Sequence, residues 1–287
     1  MPVSDPAPTL KDVVQNLDDM PALPTVVARL TRLIADPRTT ASDINAALSS
    51  DPGLVTKILK QVNSSYYGFS RRITTITNAV VILGFNQVRN LALSAFIFDA
   101  FGRHQGSLFD VNGFWRHSIG SAFLAAQLAK VIDPKVEEDA FICGLLHDLG
   151  KFIMARNAPA HIGMVMETVK EKDILFYQAE RLRLGYDHAA LGAYAMEQWN
   201  LPESLCQVVR CHHNPAEAPD HAHMLCCITN TADIVARAML LGNGGDARIP
   251  LLDDAVWARV GIDMARLEGI MRKVADDYSK SDAFFAS

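Results

Sequence analysis

Apolar residues along this chain recur at intervals of three and four, and the strict alternation of a half-buried strand is almost absent. That period lines them up on one face of a helix, so the chain is expected to be all-α. Leu10, Val13, Val14 and Leu17 form a first stripe; Val26, Val27, Leu30, Leu33 and Ile34 form a second, with Thr25 as its cap. Asp36-Pro37 stops that helix, because proline disfavours helical backbone in the residue before it. Thr40 to Asp43 reads as a capping box for a third helix. Asp51-Pro52 offers an N-cap and a first-turn proline for a fourth, which carries Leu54, Val55, Ile58, Leu59 and Val62.

The polar and aromatic run Asn63 to Ser70 interrupts the pattern, and helices resume over 77–83 and 87–101. Gly102 to Asn112 reads as a linker. Beyond it the spacing predicts helices over 113–132, 137–156, 160–172, 174–184, 187–199, 203–213 and 222–241, then a flexible Gly242–Gly245 turn and a closing pair over 253–260 and 263–279. The expected organisation is an N-terminal helical lobe over 13–105, a histidine-bearing lobe over 106–241, and a C-terminal extension over 242–287 that adds packing.

Composition narrows the function classes. With 287 residues and 49% hydrophobic content the chain can bury a sizeable core. A formal charge of −5 without any block of Lys or Arg argues against a nucleic-acid groove, which needs clustered cations. The longest apolar runs fall far short of the ~20 residues that span a bilayer, so no membrane association is expected. The five cysteines form no C-x-x-C pair and no secretory leader pattern opens the chain, which points to buried free thiols and a cytoplasmic setting.

The candidate chemistry is a set of histidines and aspartates set into apolar helical segments: His117, His147-Asp148, His188, His212-His213 and Asp233. Imidazole and carboxylate are ordinary ligands of divalent transition metals. An ionised Asp148 or Asp233 inside an apolar helix is costly unless a cation or hydrogen bonds meet it. Taken singly, Asp233 could face solvent and His117 or His147 could satisfy a buried carbonyl; together they favour ligation. Lys151, one turn beyond His147, is either a solvated charge or a group that neutralises a bound phosphate. Asp187 reads as the cap of the helix that His188 opens, and Gly192 would let a neighbouring helix approach that face. His104, His161, His221 and His223 read as surface residues, with His221 and His223 near Asp220 an adventitious metal site at most.

The order His117, His147-Asp148, Asp233 resembles the HD superfamily, and the added His188 and His212-His213 resemble its binuclear HD-GYP branch. That branch carries Gly-Tyr-Pro just after its paired histidines, where this chain reads Asn214-Pro215-Ala216-Glu217-Ala218, which argues against cyclic-di-GMP hydrolysis. Met20 to Pro24, Ser50 to Gly53, Asn63 to Gly68, Ile82 to Gly84, Phe114 to Ser118, Gly144 to Lys151, Asp187-His188, Trp199 to Pro202 and His212-His213 are similar to the HDOD family, the HD-related output domains, over roughly residues 13 to 240.

The resemblance implies an HD-type helical bundle acting as a bacterial signal-transduction or regulatory module, through a signalling protein partner or a phosphate-containing small molecule or nucleotide. Its alternative is a metal-dependent phosphohydrolase. In that reading Asp148 bridges two divalent ions, with His117, His147 and Asp233 completing one site and His188, His212 and His213 the other. Asp148 and Lys151 are then the catalytic residues, and iron or manganese, with zinc or nickel as alternatives, is the expected metal.

Overall fold

The computed structural model describes residues 25–34, 36–63, 67–101, 110–246 and 248–279, and every regular element among them is helical. The stripe at Leu10 to Leu17, His104 and residues 102–109 of the expected linker lie outside the described residues.

The N-terminal helices are α1 (Thr25–Ile34), α2 (Ala41–Leu48), α3 (Pro52–Val62), α4 (Ile76–Leu83) and α5 (Phe85–Phe101). Thr25 is the first residue of α1 rather than its cap. Thr40 and Asp43 form the expected capping box, each side chain accepting from the other's backbone N–H. Asp51 caps α3 by accepting from the Leu54 N–H at 3.0 Å. The polar run after α3 has a structural use: the Asn63 amide donates to the Leu59 and Ile73 carbonyls and accepts from the Ile73 N–H, tying the returning chain to the helix end.

The second half packs around α6 (Val111–Ile132), whose positions from Phe114 to Ala129 are almost all buried. Against it lie α7 (Glu137–Leu146), α13 (Asp220–Ala238) and α15 (Met264–Ser279). The remaining helices are α8 (Leu149–Asn157), α9 (Pro159–Lys172), α10 (Phe176–Leu184), α11 (His188–Gln198), α12 (Glu203–Cys211) and α14 (Asp254–Val260), with α11 packed between α8 and α12. One apolar core runs from Val26 to Val274 through both halves. Polar contacts join them too: the Asn90 amide on α5 donates to the Glu138 carbonyl on α7 at 2.7 Å, and Phe96 meets Trp199 edge-on at 5.8 Å.

Two expectations change. The helix predicted over 137–156 is broken at His147-Asp148, where Asp148 takes φ −97° and ψ 5°, in the sparsely populated bridge region. Both adjoining side chains, of His147 and Asp148, are fully buried. The Gly242–Gly245 segment, expected to be a flexible turn, is pinned: the Asn243 N–H donates to the Gly113 carbonyl at 2.7 Å, and Gly242, at φ 74°, lies against the backbone of Gly113 and His117. All five cysteines are buried free thiols, and no helix among the described residues is long and apolar enough to cross a membrane.

Gly150 makes the junction of α8 and α11 possible. A Cβ there would collide with the His188 carbonyl and stand 2.9 Å from the Gly192 nitrogen. Gly150→Ala is therefore expected to destabilise the fold by about 3 kcal/mol, as overpacking of a closed contact does. Urea unfolding measures it; a change within error would mean the two helices separate freely.

Candidate metal centre

Five backbone elements bring the predicted residues to one place. His117 comes from the second turn of α6, His147 and Asp148 from the break between α7 and α8, and His188 from the first residue of α11, which Asp187 caps by accepting from the Ala190 N–H. His212 and His213 follow the end of α12, and Asp233 lies on α13. All are buried except the half-buried His213.

Asp148 is at the middle. Its Oδ2 faces His147 Nε2 at 3.4 Å and His117 Nε2 at 3.8 Å, and both imidazoles face Asp233 Oδ1, at 3.5 and 3.0 Å. Its Oδ1 faces His188 Nε2 at 3.0 Å and His212 Nε2 at 3.8 Å, and His213 Nε2 lies 2.8 Å from His188 Nε2. Two donor groups result, His117, His147 and Asp148, and Asp148, His188, His212 and His213, each with its atoms within 4.8 Å of one another. They share one carboxylate, with a different oxygen turned to each.

The protonation pattern tests whether this arrangement fits a cation. His147 Nδ1 lies 2.8 Å from the Gly144 carbonyl and His212 Nδ1 2.7 Å from the Val209 carbonyl, contacts that only an N–H can make. His188 Nδ1 lies 2.5 Å from Glu180 Oε2, which also accepts the His188 backbone N–H at 3.0 Å. With Nδ1 bonded outward, Nε2 is the nitrogen left to face the carboxylate oxygens, where it offers a lone pair once the imidazole is neutral. The Nε2 atoms of His117, His147 and His212 and Oδ1 of Asp148 are buried without a hydrogen-bond partner. Orienting Nδ1 through a carbonyl or carboxylate while Nε2 faces inward is the arrangement that metal-ligating histidines adopt.

The charges agree. Among the described residues the cluster buries four carboxylates, Asp148, Glu180, Asp233 and Asp246, with two permanent cations, Lys151 and Arg237, which leaves two negative charges for protons on the imidazoles or a bound cation to meet. Burial opposes charge on His147 and His188, yet neighbouring carboxylates outweigh it and raise each to about 9. Burial instead dominates at His212, which falls to about 3, and lowers His117 and His213. Burial also works against the Asp148 anion, but His147 and Lys151 overcome it and hold the carboxyl well below the usual range. Arg237 and the facing imidazoles do the same for Asp233.

Lys151 is fully buried, not a solvated helix charge. Its ammonium donates to Asp148 Oδ2 and the Gly244 carbonyl, both at 2.8 Å, and to Asp246 Oδ2 at 3.3 Å, so its three donors are committed within the protein. Asp246 also accepts from Arg237 at 2.6 Å and from the Phe176 N–H at 2.6 Å, and Arg237 donates to Asp233 at 2.7 Å. Gly244 closes over the centre, where a Cβ would stand 2.9 Å from His117 Cδ2 and 3.3 Å from Asp148 Oδ2. On another side a cavity of about 550 Å³ reaches His213 and Asp233.

Sequence reasoning missed Glu180, Arg237, Gly244 and Asp246. Arg237, four residues after Asp233 on one helix, carried a readable signal; the others carried none. Among the described residues, His221, His223 and Asp220 form no third donor group, and His161 is half-buried. His223 lines the cavity instead, with Nε2 3.8 Å from the Cys227 thiol.

Comparison with known proteins gives this geometry a family. Residues 20–215 match the HDOD domain. The chain belongs to the HDOD family. It is 32% identical over 227 residues to an uncharacterized protein of Treponema pallidum (strain Nichols), covering 78% of this chain but 44% of that protein, so the chain spans less than half the length of that relative. An HDOD domain protein of unknown function from Geobacter sulfurreducens superposes with TM-score 0.80 at 22% identity, covering 96% of this chain and 98% of its own. A Shewanella amazonensis SB2B protein described provisionally as a phosphohydrolase superposes with TM-score 0.72 at 25% identity, covering 95% and 96%. A second protein of that organism, described provisionally as a metal-dependent phosphohydrolase, gives 0.60 at 19%, covering 94% and 97%.

Replacing Lys151 by Met, which keeps the stem, would leave the Asp148 and Asp246 carboxylates short of their shared cation. Breaking a buried pair in this way costs about 3–5 kcal/mol. Urea unfolding of the metal-free protein should show that loss; a change under about 1 kcal/mol, the scale of an exposed pair, would mean the clamp carries no stability.

Proposed function

We propose that this HDOD chain is a metal-dependent phosphohydrolase module serving bacterial signal transduction. The carrying observation is the convergence of unpartnered, buried imidazole Nε2 atoms on the two oxygens of Asp148. His117, His147, Asp148 and Asp233 would hold one divalent ion, and Asp148, His188, His212 and His213 a second. Iron or manganese is favoured, with zinc and nickel open to the same donors. When bound, such ions supply Lewis acidity toward a phosphoryl oxygen and lower the pKa of water. The overall change is hydrolysis: a water oxygen bonds to phosphorus, the ester P–O bond breaks, and the departing oxygen takes up a proton.

The chain's own residues supply order. Asp148 ties the two donor groups together through separate oxygens. Glu180 accepts from His188 Nδ1 and so turns Nε2 inward. Lys151, with all three donors engaged within the protein, holds Asp148 in place, and Arg237 holds Asp233 through Nε. Ligand reaches the centre from the cavity at His213 and Asp233.

A second reading, a module that acts by binding a signalling protein, is favoured by the N-terminal helices. Among the described residues they give none to the centre, and α4 exposes Val81 and Ile82 at 75% and 53% of their surface.

Elemental analysis of untagged protein, together with hydrolysis of p-nitrophenyl phosphate, tests the first reading. One to two transition-metal ions per chain are expected, with turnover lost in His147→Ala and Asp148→Asn while helix content is kept. No metal after anaerobic reconstitution would sink the hydrolase and leave the partner-binding module. Glu180→Gln should weaken metal affinity by roughly 10–100-fold, the usual cost of losing an outer-shell carboxylate. Unchanged affinity in a competition titration would count against its orienting role.

A further inference from the structure

The charges around the cavity speak to what the centre accepts. At the end that meets the centre stand His213, Asp233 and Asn230, and the Asn230 amide is anchored by donating to the His212 carbonyl at 2.8 Å. Ile174, Leu175, Ile234 and Val256 give the lining an apolar stretch, and Ile249 and Leu251 extend it into exposed positions. Tyr177 lies parallel to the His213 ring, with centroids 4.2 Å apart.

Among the described residues the lining holds one permanent cation, Arg248, and three carboxylates, Asp173, Asp233 and Asp253. Arg248 is already paired with Asp173 at 3.2 Å and donates to its carbonyl. Asp233 is paired with Arg237, and Asp253 accepts the first N–H groups of α14. Lys151 does not line the cavity, and its donors are committed. A ligand entering here meets three carboxylates against one guanidinium, and that one, Arg248, is exposed and shared with Asp173. A second phosphate along the wall would be desolvated beside carboxylates and apolar carbon with only the shared, exposed Arg248 as counter-charge, a costly burial.

We propose that the cavity selects a singly phosphorylated small molecule, its one phosphoryl group at the His213 and Asp233 end and an uncharged, partly apolar remainder along Ile174, Leu175, Ile234 and Val256, and that it rejects ligands with a second phosphate. The proposal rests on the Asp148 cluster being a metal centre. The volume of about 550 Å³ lies within the range of cavities that enclose one small ligand.

The test is calorimetric binding to the metal-loaded full chain, with metal content measured on the same sample. The probes are inorganic phosphate, phenyl phosphate and 1,4-phenylene bisphosphate, which differ stepwise by an apolar ring and a second phosphate. Phenyl phosphate is expected to bind at least about tenfold more tightly than inorganic phosphate, the size of a 1.4 kcal/mol apolar gain, and the bisphosphate more weakly than phenyl phosphate. Leu251→Lys, at a position 96% exposed and therefore tolerant of the change, should shift the ratio toward the bisphosphate. A bisphosphate that binds as tightly as phenyl phosphate to the unmodified chain overturns the selectivity, and so does phenyl phosphate no tighter than phosphate. A sample that takes up no metal overturns the underlying centre instead, and the elemental analysis tells the two failures apart.

Discussion

The structure depends on one buried carboxylate. Asp148 lies wholly out of water with its two oxygens turned to different sets of imidazoles, and an isolated anion in that position would be prohibitively expensive. It is held by Lys151 from its own helix, by His147 beside it, and by His188 from across the α8–α11 contact. The glycine contact between α8 and α11 follows from this demand, since His188 reaches Asp148 only where the two helices meet backbone to backbone at Gly150 and Gly192. The break after α7 lies at the same point, with Asp148 at φ −97° and ψ 5°.

A second layer of charges keeps that centre in register. Asp246 joins Lys151, Arg237 and the first N–H of α10, and through them it links the segment after α13 to α8, α13 and α10. Three formal charges and a backbone carbonyl thus fix the Gly242–Asp246 segment on the centre, which ordinary turn residues would not achieve. A segment that reads from composition as a spacer is part of the wall.

Legibility in the sequence followed the range of the interaction. Helix positions were readable because a stripe such as Val26, Val27, Leu30 declares its face locally, and caps such as Thr40 with Asp43 and Asp51 with Pro52 are written within four residues. The residues of the centre were readable because polar, ligand-type side chains stand out against apolar neighbours at His117, His147, Asp148, His188 and Asp233. Glu180 was not, because α10 mixes apolar residues with Arg181 and Arg183 and nothing local marks its one carboxylate as the partner of His188 eight residues later. Asp246 was hidden for a related reason: its contacts are to Lys151, 95 residues away, and to Phe176, 70 residues away. The break at His147-Asp148 was masked by a sequence that is helical in pattern on both sides.

The centre is asymmetric in how closely the protein encloses it. Around His117 the Gly244 backbone comes so close that no side chain fits there, and Lys151 gives one of its three donors to the Gly244 carbonyl. Around His213 the protein leaves a cavity and a half-buried ring. In the proposed centre the buried His117 and His147 would form the enclosed part, and His213 with Asp233 the part that faces the cavity. Asp148 belongs to both donor groups, so any movement at the cavity-facing part is felt at the enclosed one through a single carboxylate. In an interior packed as closely as this one, such a link transmits displacement rather than absorbing it. A carboxylate shared between the two donor sets is thus what would let the same centre either turn over a ligand or report its presence to the helices packed around it.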